Sequence, residues 1–522
     1  MINHWSRPVI DRQQIALFAP TLDAFIEENH PVRIVDEVLR QIDFGPWEQE
    51  YDQFIGQPPI HPRVLAGVLL YGISLGIRSS RKLEDCCGNR LDFLWLAEGR
   101  QIDHSTICKF RSEHPQQLKQ LFRDLVLTAR EMGLVRLNQV TWDGTRIRGN
   151  NSRHAIAGHK KLEELIQELD NQFDQMLKEA NAVDVEEQKL FGQEGHSVPL
   201  PKELARKHKR LEALKRAMET LKKMQADRGN RKDMSPRGPR IPLSDSDARI
   251  LPNKEGGYAP NYTPVLAVDS EAGIVVDAVV VVGRNEDATI APSLERIEQN
   301  LGELPKQALA DSAFHTGSNL ELLERKQVQG LIPERQSFIE NPALRADPSQ
   351  AVAEADWAKL PVNPQAKVLD KAAFIYIPER DVYFCPMGRA LQFIGMRKYR
   401  RENCQGVYRV YQGRQCVICP LRSRCVAGKS KARSVYRDEY DEARKRAQDR
   451  LQSEAGKKAY NQRWPVAEGR FGVIKSVIGM RQFLLRGLAK VSLEWIWTAA
   501  AYNLKVMLRH QIQKKGGRIA MA

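Results

Sequence analysis

The sequence predicts an α/β protein in which a mixed β-sheet carries an acidic site, with a helical region before it and two insertions within it. Three observations predict this. Residues 262–332 alternate β-branched runs with helical apolar spacing. Two aspartates, Asp143 and Asp311, stand at the ends of predicted strands. A third acid, Glu468, sits among arginines and aromatics in a helical stretch, YNQRWPVAEGRFGVIK, residues 460–475.

The totals set the bounds. A chain of 522 residues is too long for one core and predicts two to four domains. Its 42% hydrophobic and 28% charged content is that of an ordinary soluble protein. The excess of 80 Lys+Arg over 65 Asp+Glu gives a net charge of +15, which favours a polyanionic partner: DNA, RNA or a membrane surface. Asp11, Arg12 and Gln13 interrupt the place where a signal peptide would run its apolar core, and the longest apolar run, residues 65–77, is too short to span a bilayer. The expected location is the cytoplasm. There the eight cysteines are expected as thiols or metal ligands rather than disulfides.

Residues 1–135 read as helical, a region for DNA binding or dimerisation. Amphipathic candidates span 31–42, 61–77, 79–90 and 105–114, with Pro31 and Pro62 near two of the starts. Short helices with short links suggest a helix-turn-helix, and the fourth would project Lys109 and Arg111 into a groove. A helical bundle that serves only to pair subunits fits equally well. Residues 136–333 hold the first part of the sheet. Leu137–Trp142 reads as a strand ending at Asp143, followed by a basic loop with Arg146 and Arg148, where an α/β sheet places ligands.

Residues 158–245 read as an inserted helical hairpin and a basic stretch. One arm carries Leu162, Leu165, Leu169, Phe173 and Met176, the other Leu204, Leu211, Leu214, Met218 and Leu221, at coiled-coil spacing. Residues 161–190 hold nine acids against three bases, and 201–240 fourteen bases against five acids, so the arms attract. After it come strands over 262–268 and 274–282, a helix over 289–301, a strand over 307–310 ending at Asp311, a helix over 319–326 and a strand over 329–332. This order matches an RNase H-like sheet, in which the first and fourth strands are neighbours and their ends would bring Asp143 and Asp311 together.

Residues 334–450 form a basic insertion with four clustered thiols, Cys385, Cys416, Cys419 and Cys425, and Cys404 as a fifth. Cys416-x2-Cys419 has chelating spacing, so structural Zn²⁺ and a cluster of reduced thiols stand as equal readings. Residues 451–522 complete the core. Pro465 suits a first helical turn, and Glu468 and Lys475, seven residues apart, share a face. An apolar helix, 495–508, closes the core.

Three converging carboxylates suit Mg²⁺ or Mn²⁺, since hard oxygen ligands match hard cations, and a pair of such ions can drive phosphodiester transfer. Mutual repulsion of the acids predicts weak metal binding until DNA arrives.

The segments HPRVLAGVLLYGISLGIRSSRKLE, TWDGTRIRGN, SDSDARI, LADSAFHTG, CVICPLRSRC and EGRFGVIKSVIGMRQFLLRGL, in that order, resemble a bacterial insertion-sequence transposase of the DDE, RNase H-like superfamily, in the branch with a Tyr-Arg-Glu-Lys signature. The resemblance implies that Asp143, Asp311 and Glu468 bind Mg²⁺ or Mn²⁺ and that Tyr460, Arg463 and Lys475 are the signature residues. Arg463 lies five residues before Glu468 rather than four, which makes Arg470 the alternative phosphate-binding arginine. It also implies binding of terminal inverted repeats, end cleavage, joining of 3′-hydroxyls to target DNA, a homodimer on DNA and residence at the bacterial nucleoid. The rival readings are an RNase H-like nuclease without strand transfer and a catalytically inactive DNA-binding regulator.

Overall fold

Capped short helices come first among the described residues, as the proline and N-cap signals predict. The computed structural model describes residues 21–50, 58–152, 155–191, 202–228, 238–253, 256–334, 341–364, 366–401, 404–428 and 430–514. Helix α1 (Pro31–Arg40) starts on a proline, and the His30 ring accepts the Val32 N–H. There follow α2 (Gly45–Glu48), α3 (Pro62–Ser74), α4 (Ser80–Asn89), α5 (Leu91–Leu96), α6 (His104–Glu113) and α7 (Pro115–Glu131). Each of the four expected helices overlaps one of these. The expected outward display on α6 is corrected at Arg111, which is buried and donates to the Arg78 carbonyl at 3.0 Å. Arg111 lies four residues after Ile107, on the buried stripe of the helix, while Lys109 alone of the pair is exposed.

The sheet region begins with β1 (Gln139–Gly144), β2 (Ile147–Arg148) and β3 (Ile156–Ala157). Two long helices, α8 (His159–Phe191) and α9 (Lys202–Arg228), then pack through Leu162, Leu169, Leu211, Leu214, Met218 and Leu221, with Leu165 half-buried beside them. The side chain of Leu204 lies outside the described residues. Lys215 pairs with Asp170 at 3.1 Å across the arms. Next come β4 (Ile241–Pro242), β5 (Arg249–Pro252), β6 (Tyr258–Asp269), β7 (Val275–Val281), α10 (Ile290–Leu301), β8 (Gln307–Leu309), α11 (Gly317–Arg325) and β9 (Gln329–Leu331).

Across the middle of the sheet the order is β7-β6-β1-β8-β9. The pairs β1/β6 and β6/β7 are antiparallel, and β1/β8 and β8/β9 are parallel. This mixed order is compatible with an RNase H-like core. Every residue of β6 from Ala259 to Asp269 is buried, so both of its faces are covered, and the apolar run there reads accordingly.

A second, five-stranded antiparallel sheet follows in sequence order: β10 (Ile375–Ile377), β11 (Val382–Phe384), β12 (Ala390–Arg401), β13 (Cys404–Gly413) and β14 (Ser434–Arg437), with a short helix α12 (Arg422–Cys425) between the last two. The chain then returns to the first sheet through α13 (Asp441–Gln452), α14 (Glu454–Asn461), α15 (Arg463–Ser476) and α16 (Leu488–Lys514). Arg446 and Arg450 of α13 pair with Glu324 of α11 at 2.7 and 3.0 Å, so the expected boundary at 450 falls inside a helix that docks on the first sheet's surroundings.

Helix α16 joins the two ends of the chain. Trp495 donates to the Val265 carbonyl at 3.3 Å, Asn503 exchanges two 2.8 Å hydrogen bonds with the Val275 backbone, and Lys505 donates to the Ser74 carbonyl of α3 at 3.1 Å. One hydrophobic core therefore includes Val35 and Leu69 of the first helices, Trp142 and Val265 of the sheet, and Trp497 of α16. The start of α16 is fixed by the SDSD motif: Asp247 accepts the Leu488 N–H at 2.8 Å, and buried Asp245 holds the Tyr262 hydroxyl at 2.8 Å. Among the described residues no helix is long and apolar enough to cross a membrane.

Candidate active site

Strand register brings the first two acids together. In the parallel β1/β8 pair Thr141 lies opposite Leu309, so two residues further along each chain Asp143 and Asp311 meet at the same end of the sheet. Trp142, between Thr141 and Asp143, turns inward and donates to Ser293 Oγ at 2.9 Å. Alternation along the strand then sends Asp143 to the opposite face. Asp311 leaves the sheet into a 3-10 turn, Ser312–Phe314, which it caps by accepting the Ala313 N–H at 2.8 Å.

Arg463 at the start of α15 stands between them. Its Nη2 is 3.6 Å from Asp143 Oδ1 and 3.9 Å from Asp311 Oδ2. The side chains of Arg463 and Asp143 are only 11% and 15% exposed, whereas Asp311 is 41% exposed. Two carboxylates against one guanidinium leave a net negative charge. Arg463 Nε is buried without a hydrogen-bond partner among the described residues. The Arg463 guanidinium carbon lies 6.0 Å from the Tyr460 ring centroid. Burial pushes the Tyr460 hydroxyl up, opposed by the charge of Arg463.

The other expected site residues divide. Glu468 lies on α15, and its side chain lies outside the described residues. Lys475, two turns beyond it, donates to Thr145 Oγ1 at 2.6 Å, two residues past Asp143. Arg146 turns to Glu286 and Thr263, each at 2.6 Å. Arg148 pairs through its backbone with the segment after α15, accepting from Phe483 at 2.9 Å and donating to Arg481 at 3.3 Å. Arg486 donates to the Asn150 carbonyl at 2.9 Å, so this segment and the β1–β2 region form one basic rim. Arg470 is not brought to the acids. Its guanidinium lies against Gly273 in the β6–β7 turn, at the other end of β1, where a Cβ on that glycine would collide with it.

Glu286 was invisible to sequence reasoning, because in RNED it reads as an acid near the start of α10. Its carboxylate lies against Gly144, so close that a side chain at Gly144 would collide with it. His315, in the motif after Asp311, is pushed down to about 4 by burial, with the Arg444 charge adding to the effect. Its ring is therefore neutral at neutral pH. Gly317 follows because Tyr440 leaves no room for a Cβ there.

The four thiols Cys385, Cys416, Cys419 and Cys425 all line one cavity of about 280 Å³ in the second sheet. The side chain of Cys404 lies outside the described residues. A separate group, Glu84, Asp103 and His104, brings ligand atoms within 4.8 Å of one another at the surface of the first helices, remote in sequence from the expected acids. There Asp103 is already committed to capping α6 through the Ser105 N–H at 2.7 Å.

Two family models match the chain. "Transposase domain (DUF772)" matches residues 20–113, the first helices, and "Transposase DDE domain" matches residues 384–508, from the end of β11 through α15 into α16. The second match includes Tyr460, Arg463, Glu468 and Lys475, while Asp143 and Asp311 lie outside both. No curated protein matches the chain. Transposases act on DNA, and a DDE domain points to a metal-dependent nuclease or transferase that typically uses Mg²⁺. With one transposase match at each end of the chain and two strand-end aspartates meeting between them, the matches indicate an insertion-sequence DDE transposase.

Proposed function

We propose that this transposase binds the terminal inverted repeats of its insertion sequence, cleaves the element's ends and joins the freed 3′-hydroxyls to target DNA, with Asp143, Asp311 and Glu468 as cation ligands. One observation carries the reading: Asp143 and Asp311 share a single guanidinium, at 3.6 and 3.9 Å, so both address the same positive charge. Carboxylate oxygens that converge on a cation are the donor set that Mg²⁺ or Mn²⁺ requires. When bound, two such ions supply the Lewis acidity that in-line displacement at phosphorus needs.

The chain's own residues bind and orient. Arg463, braced by the Tyr460 ring, exchanges the two carboxylates for a DNA phosphate once the acids are otherwise neutralised, since its planar fork suits phosphate oxygens. Lys475, anchored on Thr145, offers a point charge to the backbone beside Asp143. Arg146 and Arg148 on the rim add further phosphate contacts, and Arg470 supports the β6–β7 turn. In cleavage, a water oxygen bonds to phosphorus as the P–O3′ bond breaks and the leaving oxygen takes a proton. In joining, that 3′-hydroxyl attacks a target phosphate and releases another 3′-hydroxyl. No protein nucleophile takes part. Two copies on DNA would hold the two ends together.

A labelled duplex carrying the element's terminal repeat, incubated with Mg²⁺, tests the reading. Hydrolysis followed by joining is expected. Hydrolysis alone would indicate a nuclease, and binding without either reaction a regulator. Glu468→Gln should abolish both reactions and leave DNA binding intact; cleavage by that variant would remove Glu468 from the site.

A further inference from the structure

We propose that Cys385, Cys416, Cys419 and Cys425 form a structural zinc site that ties together the root of the β12–β13 ribbon. Three separate stretches deliver the thiols. Cys385 directly follows β11, Cys416 and Cys419 follow β13, and Cys425 ends α12. All four are free thiols and all face one cavity of about 280 Å³. Four converging cysteines on three strand and helix ends, with one pair at chelating spacing, match the ligand set of a closed tetrahedral zinc site.

Hydrogen-bond donors and cations stand around the sulfurs. The Arg433 N–H donates to Cys416 Sγ at 3.4 Å, an outer hydrogen bond of the kind that orients a metal ligand. Arg433 Nε is buried with no partner among the described residues, and Arg389, Arg414, Arg422 and Arg433 all line the cavity. Four thiolates around Zn²⁺ carry a net charge of −2, and these arginines offset it. Without metal they crowd positive charge around neutral thiols.

The sulfurs surround the space without having closed on it: no three of them all lie within 4.8 Å of one another. Zn–S bonds of about 2.3 Å draw them nearer. The movement falls on the Cys416–Cys419 knuckle, whose intervening Val417 and Ile418 are 65% and 78% exposed and therefore leave it free to turn inward. The second sheet has reason to need such a tie. Its hydrophobic core is confined to a small cluster around Phe374, Tyr383, Leu391 and Tyr411, while the ribbon beyond exposes Ile394 and Met396.

The test is the metal content of the purified full-length chain, read without DNA so that it is independent of the catalytic proposal. Elemental analysis should give one zinc per chain, falling to a substoichiometric level in Cys419→Ser, with rescue in Cys419→His. Cobalt reconstitution of the wild-type chain should show tetrahedral thiolate bands, which keeps the test decisive if a variant fails to fold. Wild-type chain prepared with added zinc that emerges from gel filtration metal-free, and gives no such bands with cobalt, would overturn the proposal.

Discussion

Strands β6 and β12 are both twelve residues long, yet one is buried from Ala259 to Asp269 and the other exposes Phe393, Ile394 and Met396. The difference lies in what each chain segment can gather around it. Strand β6 lies between β1 and β7 and is covered by the C-terminal part of the chain, where Trp495 of α16 donates to the Val265 carbonyl and Phe483 packs edge-on against Tyr262. Strand β12 has mainly its antiparallel partner β13, with the Tyr399 and Tyr408 rings stacked 4.1 Å apart along the ribbon. A sheet held by long-range packing can keep two carboxylates beside each other at a fixed separation. A sheet with a small core needs another tie, which is the role assigned above to zinc.

This contrast can be broken or sharpened experimentally. The largest effect is expected at the acids: Asp143→Asn should lower end cleavage on the order of 10³-fold, about 4 kcal/mol of barrier, with little change in thermal stability. A variant that cleaves normally would show that the packed sheet does not serve the chemistry. Next, Leu266→Ala in β6 should cost about 2–5 kcal/mol in a denaturant titration, because the buried strand cannot refill the cavity.

His315 supplies a pH-dependent effect of comparable size. Its folded value of about 4 lies below the ordinary 6.5, so the unfolded chain binds the proton more readily. Its contribution is fully present above pH 6.5 and is lost as the pH falls towards 4, up to about 3 kcal/mol. Denaturation midpoints of wild type and His315→Gln, compared across that window, should diverge in slope; parallel curves would refute the assignment. The smallest effect belongs to the ribbon, where Ile394→Ala should change stability by no more than about 0.5 kcal/mol. A large loss there would mean that the exposed strand is packed against something in solution.

Sequence alone made Asp143 and Asp311 legible because strand ends could be read from β-branched runs, and the parallel register then followed from element order. It also found Lys475 near the site, through helical spacing on α15. It named Arg463 with Arg470 as the alternative and could not choose between them, since both arginines sit on one helix and only the docking of α15 across β1 brings Arg463 to Asp143 and Asp311. Glu286 escaped for the same reason, its meaning set by a contact with Gly144 far away in the chain. Arg111 reads as surface because an arginine in a helix usually does; its burial follows from distant partners, the Arg78 carbonyl that takes its guanidinium and the Trp497 indole that donates to its own carbonyl. Beyond Leu391, Val410 and Tyr411 the described part of the β12–β13 ribbon is largely exposed, so little of it shows the alternation that marks a half-buried strand.

The central claim is that strand-end acids brought into register hold a divalent cation. Mn²⁺ binding followed by electron paramagnetic resonance, with terminal-repeat DNA present, tests it most directly on wild-type chain and on the Asp143→Asn, Asp311→Asn double variant. The account predicts bound Mn²⁺ in the wild type and its loss in a double variant that still melts cooperatively and still binds the DNA. Equal Mn²⁺ binding by the two proteins would contradict it.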